Sequence, residues 1–350
     1  MRARRALIIL ALVAGVGAGA ARSEARTAVF YYPWYGTQAR DGSYLHWRQH
    51  WRLPPFDIAS NFYPARGAYS SGDPRVVAAQ MGEIADAGID EVVTSWWGWG
   101  SFEDARLPAV IAAARANGLR VAAHIEPYGG RTIESVAADV QHLRSLGITD
   151  FYVYRPVQFA AEEWAALLSG LDGVRVFAET PLVGFAARAG FDGVYTYDVL
   201  SYGGGTFARL CAAAHRVKLL CLPSVGPGYA ASRATGDRRM KPRRRGKTYD
   251  EMWRSALRAR ADEVTITSYN EWSEGTQIEP ASSDPPMLGY LSYDGAYGLH
   301  GPAASRAYLA RTACWVAVAS GALVRRHSTF FAGPAAAGSR AAHTCTSVFS

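Results

Sequence analysis

Two acidic side chains, Glu271 and Glu274, lie three residues apart just beyond a β-branched run at residues 264–267. The surrounding segment, SYNEWSEGTQIEP at residues 268–280, is rich in aromatic, amide and glycine residues. In a helical turn this spacing brings two side chains to within about 5–6 Å of each other. Carboxyl groups paired so closely are typical of enzymes that break glycosidic bonds with retention of configuration. Glu271 and Glu274 are therefore the predicted catalytic residues, and a solvated pair in a surface loop is the competing interpretation.

Short strand-like runs alternate with amphipathic helical stretches along most of the chain. The predicted strands are residues 28–32, 91–96, 119–125, 151–154, 174–178, 193–196, 217–221 and 264–267. Helices are predicted at residues 73–88, 104–117, 132–145 and 302–318, among others. Eight strands alternating with eight helices predict an α/β fold, a single (β/α)8 TIM barrel with long strand-to-helix loops. A doubly wound open sheet is the alternative, but no glycine-rich phosphate-binding turn follows the first strand.

The residues suited to sugar chemistry follow the predicted strands. In a TIM barrel, the loops after the strands form the active site. Those positions hold residues 32–36, 96–98, 126–128 and 270–274, together with Tyr197. Several independent strands thus end in aromatic or acidic residues, which favours one shared cleft for binding sugar.

Charge argues against a nucleic-acid partner. The formal net charge is +7, from 37 Lys and Arg residues against 30 Asp and Glu residues. Much of the excess lies in one loop, residues 237–247, and in the first 25 residues. A single basic loop without a binding motif does not make a nucleic-acid-binding face. We interpret it as a solvated loop, with binding of phosphate or an acidic glycan as the alternative.

The first 25 residues resemble a secretory signal peptide. Basic residues precede an apolar run at residues 6–16, and small residues follow at 18–20 and 23–25. This pattern predicts export, with the mature protein secreted or associated with the cell envelope; an uncleaved N-terminal anchor is the alternative. The predicted catalytic barrel occupies residues 26–319. Residues 320–350 are an Ala-, Gly- and Ser-rich extension.

The four cysteines have no metal-ligand spacing, so we expect neither a metal site nor a cofactor. In an exported protein they allow two disulfides in three connectivities. We favour Cys211 with Cys221 and Cys314 with Cys345, and buried free thiols are the competitor.

Several long motifs are similar to glycoside hydrolase family 99, the endo-α-1,2-mannosidase and endo-α-1,2-mannanase family. They occur in order within residues 28–281. They are VFYYPWYG (29–36), LHW (45–47), YSSGDP (69–74), AGID (87–90), HIEPYGGR (124–131), FDGVYTY (191–197), PSVGPGY (223–229) and TSYNEWSEGTQIEPA (267–281). The resemblance covers most of the predicted mature chain.

The resemblance implies a (β/α)8 barrel that cleaves α-1,2-linked mannose within a chain, with retention of configuration. It implies that Glu271 takes the proton from the mannose 2-hydroxyl, which attacks the anomeric carbon and gives a 1,2-anhydro sugar. Glu274 would protonate the leaving oxygen and then activate water. One departure is Ser273, where the family usually has His, and it leaves the natural mannose-containing oligosaccharide or polysaccharide open.

Further residues are candidate sugar contacts. Trp96 or its neighbour Trp97 would offer a stacking face, and Glu126 is a carboxylate that either contacts substrate or anchors Arg131. The complete set of predicted substrate-binding residues is Tyr32, Tyr35, His46, Trp47, Trp96, His124, Glu126, Tyr128, Tyr197, Arg243, Asn270 and Gln277.

Two other functions stay open at this point. One is a related glycosidase of different linkage specificity that forms a covalent glycosyl-enzyme through Glu126 or Glu271. The other is a non-catalytic glycan-binding barrel, against which the presence of both glutamates argues.

Overall fold

The computed structural model describes residues 25–321 and Cys345. The strands are β1 (Arg26–Tyr31), β2 (Glu91–Trp96), β3 (Arg120–Ile125), β4 (Asp150–Val153), β5 (Arg175–Glu179), β6 (Gly193–Tyr195), β7 (Leu220–Leu222), β8 (Ser224–Val225), β9 (Tyr229–Ala230), β10 (Met240–Lys241) and β11 (Glu263–Ile266). The α-helices are α1 (Gln38–Asp41), α2 (Pro74–Asp86), α3 (Phe102–Ala116), α4 (Ile133–Ser145), α5 (Ala161–Leu168), α6 (Val183–Ala189), α7 (Gly204–Arg216), α8 (Lys247–Arg258) and α9 (Ala307–Ala319). Turns of 3₁₀ helix occupy Pro156–Gln158, Arg244–Gly246, Ala296–Gly298 and Gly301–Arg306.

The main sheet closes on itself. Within the described residues its order is β7-β6-β5-β4-β3-β2-β1-β11-β8, and every pairing is parallel. The strands at its two ends, β7 and β8, are separated only by Pro223, so they are two pieces of one strand. That strand pairs with β6 on one side and β11 on the other. The result is an eight-stranded barrel, which confirms the predicted fold and excludes the open sheet.

Helix ends follow local signals in the sequence. Asp73 caps α2 by accepting the N–H of Arg75 at 2.9 Å, and Gly88 ends it with a φ of 74°. The second predicted helix begins two residues earlier than expected, at Phe102, because Ser101 caps it and accepts the N–H of Asp104 at 3.1 Å. The predicted strand at residues 217–221 is shorter in the structure because Val217 ends α7.

Aromatic side chains fill the barrel interior. The ring of Phe30 lies 4.8 Å from His124, 5.1 Å from Tyr197 and 5.9 Å from both Tyr152 and Tyr195. A second apolar layer lies between the sheet and helices α3 to α7. The interior layer forms a rigid floor beneath the loops at the carboxyl end of the strands.

Both favoured disulfides are present, Cys211 with Cys221 and Cys314 with Cys345. The first ties α7 to β7. The predicted signal peptide lies outside the described residues except for Ala25, as does the predicted extension except for residues 320–321 and Cys345.

Candidate active site

The segment that follows β11 carries both predicted catalytic glutamates. Ser268 Oγ accepts the N–H of Glu271 at 2.8 Å, and the carbonyl of Glu274 accepts the N–H of Ala230 at 2.8 Å. Gly275 has a φ of 65°, and a Cβ there would lie 2.6 Å from the carbonyl oxygen of Ala230. Only glycine fits this turn, so the segment presents the two glutamates in one fixed arrangement.

Tyr35 and Asn270 join the loop after β1 to this segment. The Tyr35 hydroxyl donates to the carbonyl of Asn270 at 3.0 Å and accepts the N–H of Trp272 at 3.0 Å. The Asn270 amide accepts the N–H of Tyr32 at 2.8 Å and donates to the Tyr32 carbonyl at 3.0 Å. Both side chains are buried. Although the sequence indicates them as sugar contacts, these bonds make them supports for the catalytic segment.

A further buried carboxylate, Glu279, lies beneath the segment. It accepts hydrogen bonds from Trp272 Nε1, the Tyr69 hydroxyl and Gln80 Nε2, each at 2.8 Å. Arg66 Nε approaches it to 3.3 Å. Burial raises the pKa of Glu279 to about 7, and Arg66 opposes that rise. This support was not predicted from the sequence, although Glu279 lies within the motif at residues 267–281.

The two catalytic candidates share an acidic environment, in which Glu271 is buried and Glu274 is half-buried. Burial raises the pKa of Glu271 well above its ordinary value, and the charge of Glu274 raises it further. Burial likewise raises the pKa of Glu274 to about 7, with further contributions from Asp198 and Glu126. Two close carboxyls in such a site retain a proton at neutral pH, because ionising both is unfavourable.

The proton of the pair is better placed on Glu274. Oε1 of Glu271 accepts the backbone N–H of Ser273 at 2.9 Å, and this bond lowers the pKa of Glu271 against the effect of burial, as does the N–H of Glu274. Hydrogen bonds from fixed donors favour the ionised form. No such hydrogen bond to the Glu274 carboxyl is found among the described residues, and Asp198 and Glu126 raise its pKa. The backbone N–H bonds therefore favour the ionised form on Glu271 more than on Glu274.

Tyr32 and Tyr197 also lie at the carboxyl end of the barrel strands, which we call the barrel mouth. Their hydroxyls are hydrogen-bonded to each other. Burial raises the pKa of Tyr32 well above its ordinary value, and the charges of Glu126 and Glu271 raise it further. The Tyr197 pKa is raised by burial first, and Tyr32 and Glu274 contribute further. The strands β1, β3, β6 and β11 therefore bring these predicted residues together, as the TIM-barrel prediction requires.

Glu126 and His124 form the third acidic position. Ser95 Oγ donates to Oε1 of Glu126 at 2.8 Å. His124 Nδ1 is 2.9 Å from the same oxygen, a salt-bridge distance without hydrogen-bond alignment, and Nε2 lies 2.9 Å from the Tyr195 hydroxyl. Arg131 bonds to the Glu126 backbone carbonyl at 3.1 Å, so its anchor is not the carboxylate. The Glu126 carboxylate is buried, and its charge raises the pKa of both Glu271 and Glu274.

An aromatic wall lines one side of the mouth. His46 stacks on Trp34 with ring centroids 4.3 Å apart, and Trp34 also lies 4.5 Å from Tyr32 and 6.5 Å from Trp97. Burial, followed by the charge of Arg106, lowers the pKa of His46 to about 4, so this ring is neutral at physiological pH. Flat apolar faces of this kind suit the C–H surfaces of sugars. Trp34 was not predicted as a site residue and Trp97 only as the alternative to Trp96, although both lie in strand-end motifs.

Two further acids complete the mouth and were also missed. Glu179 ends β5, and burial raises its pKa to about 7, with His124 opposing and Asp198 adding to the rise. Asp198 follows β6 and contributes to the raised pKa of Glu274. The signal that could have found them is their position just after a strand.

Besides Tyr35 and Asn270, five predicted sugar contacts have structural partners. Trp96 packs between the sheet and α3, with Nε1 donating to Asp104 at 2.9 Å. The Tyr128 hydroxyl bonds to Asp139 and, at 2.8 Å, to Ser135. Of the two neighbouring tryptophans, Trp97 rather than Trp96 therefore lies beside the aromatic wall.

The remaining three hold the loops. Trp47 stacks on Tyr35 and donates to the Tyr69 carbonyl at 2.7 Å. Arg243 donates to the Gly275 and Gln277 carbonyls at 3.0 and 2.8 Å, and packs over Phe62, Tyr293 and Tyr308. Gln277 is buried and donates to the Tyr293 hydroxyl at 3.0 Å. These contacts place Trp47, Arg243 and Gln277 behind the catalytic segment.

No cluster of three or more His, Cys, Asp or Glu side chains suited to a metal ion occurs among the described residues. Nor does that part of the chain contain a helix long and apolar enough to cross a membrane. Two cavities lie elsewhere, one of about 400 Å³ between α7 and α8 and one of about 280 Å³ at the amino end of the barrel. Neither is lined by the catalytic candidates.

A TIM barrel with paired glutamates and an aromatic wall at its carboxyl end defines a glycoside hydrolase. Comparison with known proteins agrees. The model of glycosyl hydrolase family 99 matches residues 23–320. A human glycoprotein endo-alpha-1,2-mannosidase-like protein is 34% identical over 325 residues, covering 75% of this chain and 70% of the relative.

Two other similarities point the same way. The glycoprotein endo-alpha-1,2-mannosidase of Xenopus laevis is 33% identical, covering 76% of this chain and 72% of the relative. The solved GH99 endo-alpha-mannosidase from Bacteroides thetaiotaomicron superimposes with a TM-score of 0.76 at 30% identity, covering 85% of this chain and 98% of that structure. This chain belongs to glycoside hydrolase family 99, as its motifs predict.

Proposed function

We propose that this protein cleaves α-1,2-mannosidic linkages within a glycan chain, with retention of configuration. The observation that carries the proposal is the glutamate pair at the barrel mouth, with Glu271 buried and Glu274 half-buried among acids and aromatic rings. The relatives and the solved structure, which are named endo-alpha-1,2-mannosidases or endo-alpha-mannosidases, support the choice of sugar and the internal position of the cut.

In the proposed first step, Glu271 removes the proton from the mannose 2-hydroxyl, whose oxygen then attacks the anomeric carbon. The fixed N–H of Ser273 orients the Glu271 carboxylate for that task and favours its ionised form against the effect of burial. Glu274 delivers its proton to the leaving oxygen as the glycosidic bond breaks. A pKa of about 7 suits an acid that must be protonated near neutral pH.

The second step opens the resulting 1,2-anhydro sugar. Glu274, now ionised, takes a proton from water, which attacks the anomeric carbon from the face of the departed group. Glu271 returns its proton to the 2-oxygen. Both glutamates regain their starting charge, and two inversions at the anomeric carbon give net retention. Tyr32, Tyr197 and Glu126 line the same space, where their hydroxyls and carboxylate meet sugar hydroxyls.

Product analysis tests the proposed linkage. The purified protein is incubated with oligosaccharides of α-1,2-linked mannose, and with α-1,6-linked ones as a control. We expect internal fragments from the first set alone, with the α-anomer as the initial product by NMR. Fragments from α-1,6-linked chains, or none from either set, contradict the proposed specificity.

A substrate lacking the reacting 2-hydroxyl tests the proposed intermediate. Without that hydroxyl no anhydro ring forms, so we expect turnover to stop and no sugar to become attached to the protein. A glutamate carrying covalently bound sugar, detected by mass spectrometry, supports instead a glycosyl-enzyme formed through Glu126 or Glu271.

Export is also part of the proposal, based on the signal-like pattern at residues 1–25. The amino-terminal sequence of the protein recovered from its native source tests it. A mature end just after Ala20 or Ala25 is expected, whereas an intact residue 1 contradicts cleavage.

A further inference from the structure

Apolar side chains are exposed at the tips of two loops. Trp51 is 93% exposed and Leu288 is 95% exposed, the highest values for large apolar residues in the described chain. Leu53, Phe56 and Met287 are also exposed. We call these five residues the apolar rim. Isolated exposed apolar residues are ordinary, but a group of large ones marks an interaction surface.

The two loops form one surface. The Tyr290 hydroxyl donates to the Phe56 carbonyl at 2.8 Å and accepts the N–H of Ile58 at 2.8 Å. Arg233 packs over the Tyr290 ring at 4.3 Å and forms an ion pair with Asp57. These contacts fix residues 51–57 beside residues 287–290, with the segment around Arg233 between them.

This surface borders the catalytic mouth. The Ala230 N–H bonds to the carbonyl of Glu274 at 2.8 Å, three residues before Arg233. On the other side, His46 stacks in the aromatic wall, five residues before Trp51. The same loops thus shape the cleft and carry the rim.

The backbone holds Trp51 in an uncommon conformation. His50 and Trp51 have φ values of 49° and 68°, in the left-handed region that non-glycine residues rarely adopt. An aromatic residue kept in such a turn with its ring in solvent favours a role in binding over a role in folding.

Basic residues surround the apolar rim. Residues 48–57, 231–241 and 284–291 contain six Lys or Arg residues and three Asp residues. Arg48, Arg238 and Arg239 among them are exposed, and Arg239 forms an ion pair with Asp237 at 2.8 Å. The surface therefore combines aliphatic and Trp side chains at its tips with positive charge around them.

We propose that the apolar rim and its basic surroundings dock on an anionic lipid surface. Trp and aliphatic side chains insert at the headgroup boundary, and Arg side chains are attracted to anionic lipid. The catalytic mouth then opens beside that surface, where it would meet glycans anchored in lipid. This last consequence rests on the proposed function, whereas the docking itself does not.

Two other occupants fit the surface less well. A sugar chain binds flat aromatic faces with hydrogen-bonding groups between them, whereas Leu53, Met287 and Leu288 are aliphatic. A symmetric pair of copies would bring the same basic segment of each copy together, and like charges oppose that contact.

Vesicle co-sedimentation of the full chain tests the proposal. The vesicles are equal parts phosphatidylglycerol and phosphatidylcholine, with pure phosphatidylcholine for comparison. We expect binding to the anionic vesicles that weakens at 0.5 M salt, and at least about tenfold weaker binding to pure phosphatidylcholine. No binding to anionic vesicles overturns the proposal.

Matched variants locate the surface. The double variants W51S/L288S and R238E/R239E should each lose at least about tenfold in vesicle affinity. Controls are V217S and R216E/R258E at exposed positions of the amino end, and these should bind like the original protein. Equal losses in rim and control variants overturn the assignment.

Hydrolysis of a soluble substrate separates docking from catalysis. The rim variants should keep that activity while losing vesicle binding, which also shows that they fold. Two results overturn lipid docking: a dimer in sedimentation velocity that W51S/L288S dissociates, or a loss of affinity for soluble mannan in the rim variants without any vesicle binding by the original protein.

Discussion

The amino end of the barrel buries carboxyl groups beside positive charge. Glu91 lies 3.5 Å from Arg120, and the Tyr152 hydroxyl hydrogen-bonds to Glu263 and lies 3.4 Å from Glu91. The pKa of Glu91 is raised to about 8 by burial first and the charge of Glu263 next, while Arg120 and Arg175 oppose the rise. At this end, Arg120 and Arg175 therefore offset part of the effect of burial on the carboxyl groups.

At the carboxyl end, the two predicted catalytic glutamates lack such compensation. The neighbours that raise the pKa of Glu274 are acids, and no ion pair with a Lys or Arg side chain is found for it or for Glu271 in the part of the chain that the structure describes. A raised pKa therefore does not by itself distinguish catalysis from structure. The lack of a Lys or Arg partner is the difference on which the proposed catalytic role of Glu271 and Glu274 rests.

Gln substitutions at the two ends give the largest expected contrast. E271Q and E274Q should each lower kcat/KM on an α-1,2-mannoside by at least about 10³-fold, because each removes a group that transfers a proton. E91Q and E263Q should stay within about threefold. Thermal unfolding of all four checks folding. A large loss of activity in E91Q despite a native melting curve would break the comparison.

Glu279 tests the comparison of the two barrel ends in a second way. It lies at the carboxyl end, but, like the acids of the amino end, it has hydrogen-bond donors and an arginine beside it. E279A should lower the free energy of unfolding by about 3 kcal/mol, since it leaves the donors of Trp272, Tyr69 and Gln80 buried without an acceptor. E279Q should lose less. Urea unfolding measures both, and a stability unchanged in E279A would refute the structural role.

Glu91, at the amino end, should make the free energy of unfolding depend on pH. In the unfolded chain its pKa returns to the ordinary 4.5, whereas in the folded protein it is about 8. Between these values the unfolded state has lost the proton that the folded state keeps. Stability should therefore be greatest at acidic pH and fall as pH rises toward 8, by up to about 1.4 kcal/mol per pH unit from this group.

E91Q should remove that part of the slope, measured by urea unfolding from pH 5 to 8. The control is E162Q, at an exposed position on α5. Identical slopes in E91Q and the original protein would show that Glu91 is not protonated when buried.

The smallest expected effect is a shift in the pH profile of activity. Asp198 helps to raise the pKa of Glu274, so D198N should lower that pKa. Glu274 must be protonated to act, so the alkaline limb of kcat/KM should move to lower pH by several tenths of a unit. D172N, an exposed substitution between α5 and β5, is the control. If the alkaline limb of kcat/KM does not move in D198N, a group other than Glu274 determines its position.

The sequence predicts the barrel well because strand and helix periods and capping residues are local signals. Asp73 and Gly88 bound α2 as expected, and the motif after β11 carries Glu271 and Glu274. The disulfides also agree with expectation.

Side-chain roles were harder to predict, because a residue's position after a strand does not say which way the loop turns it. Trp96 and Trp97 alternate between the two faces of the strand end, and only the structure shows that Trp96 packs against α3. Arg243 was indicated by its charge, yet it holds backbone carbonyls and stacks on aromatic rings. Glu179 and Asp198 lack a distinctive motif of their own.

The central claim is that Glu271 removes a proton and Glu274 delivers one. The most direct measurement compares each Gln variant on an α-1,2-linked mannoside and on a mannosyl fluoride, whose leaving group needs little help from an acid. We expect E274Q to recover much of its activity on the fluoride and E271Q to remain inactive on both. Equal recovery in both variants, or recovery in E271Q alone, would contradict this division of roles.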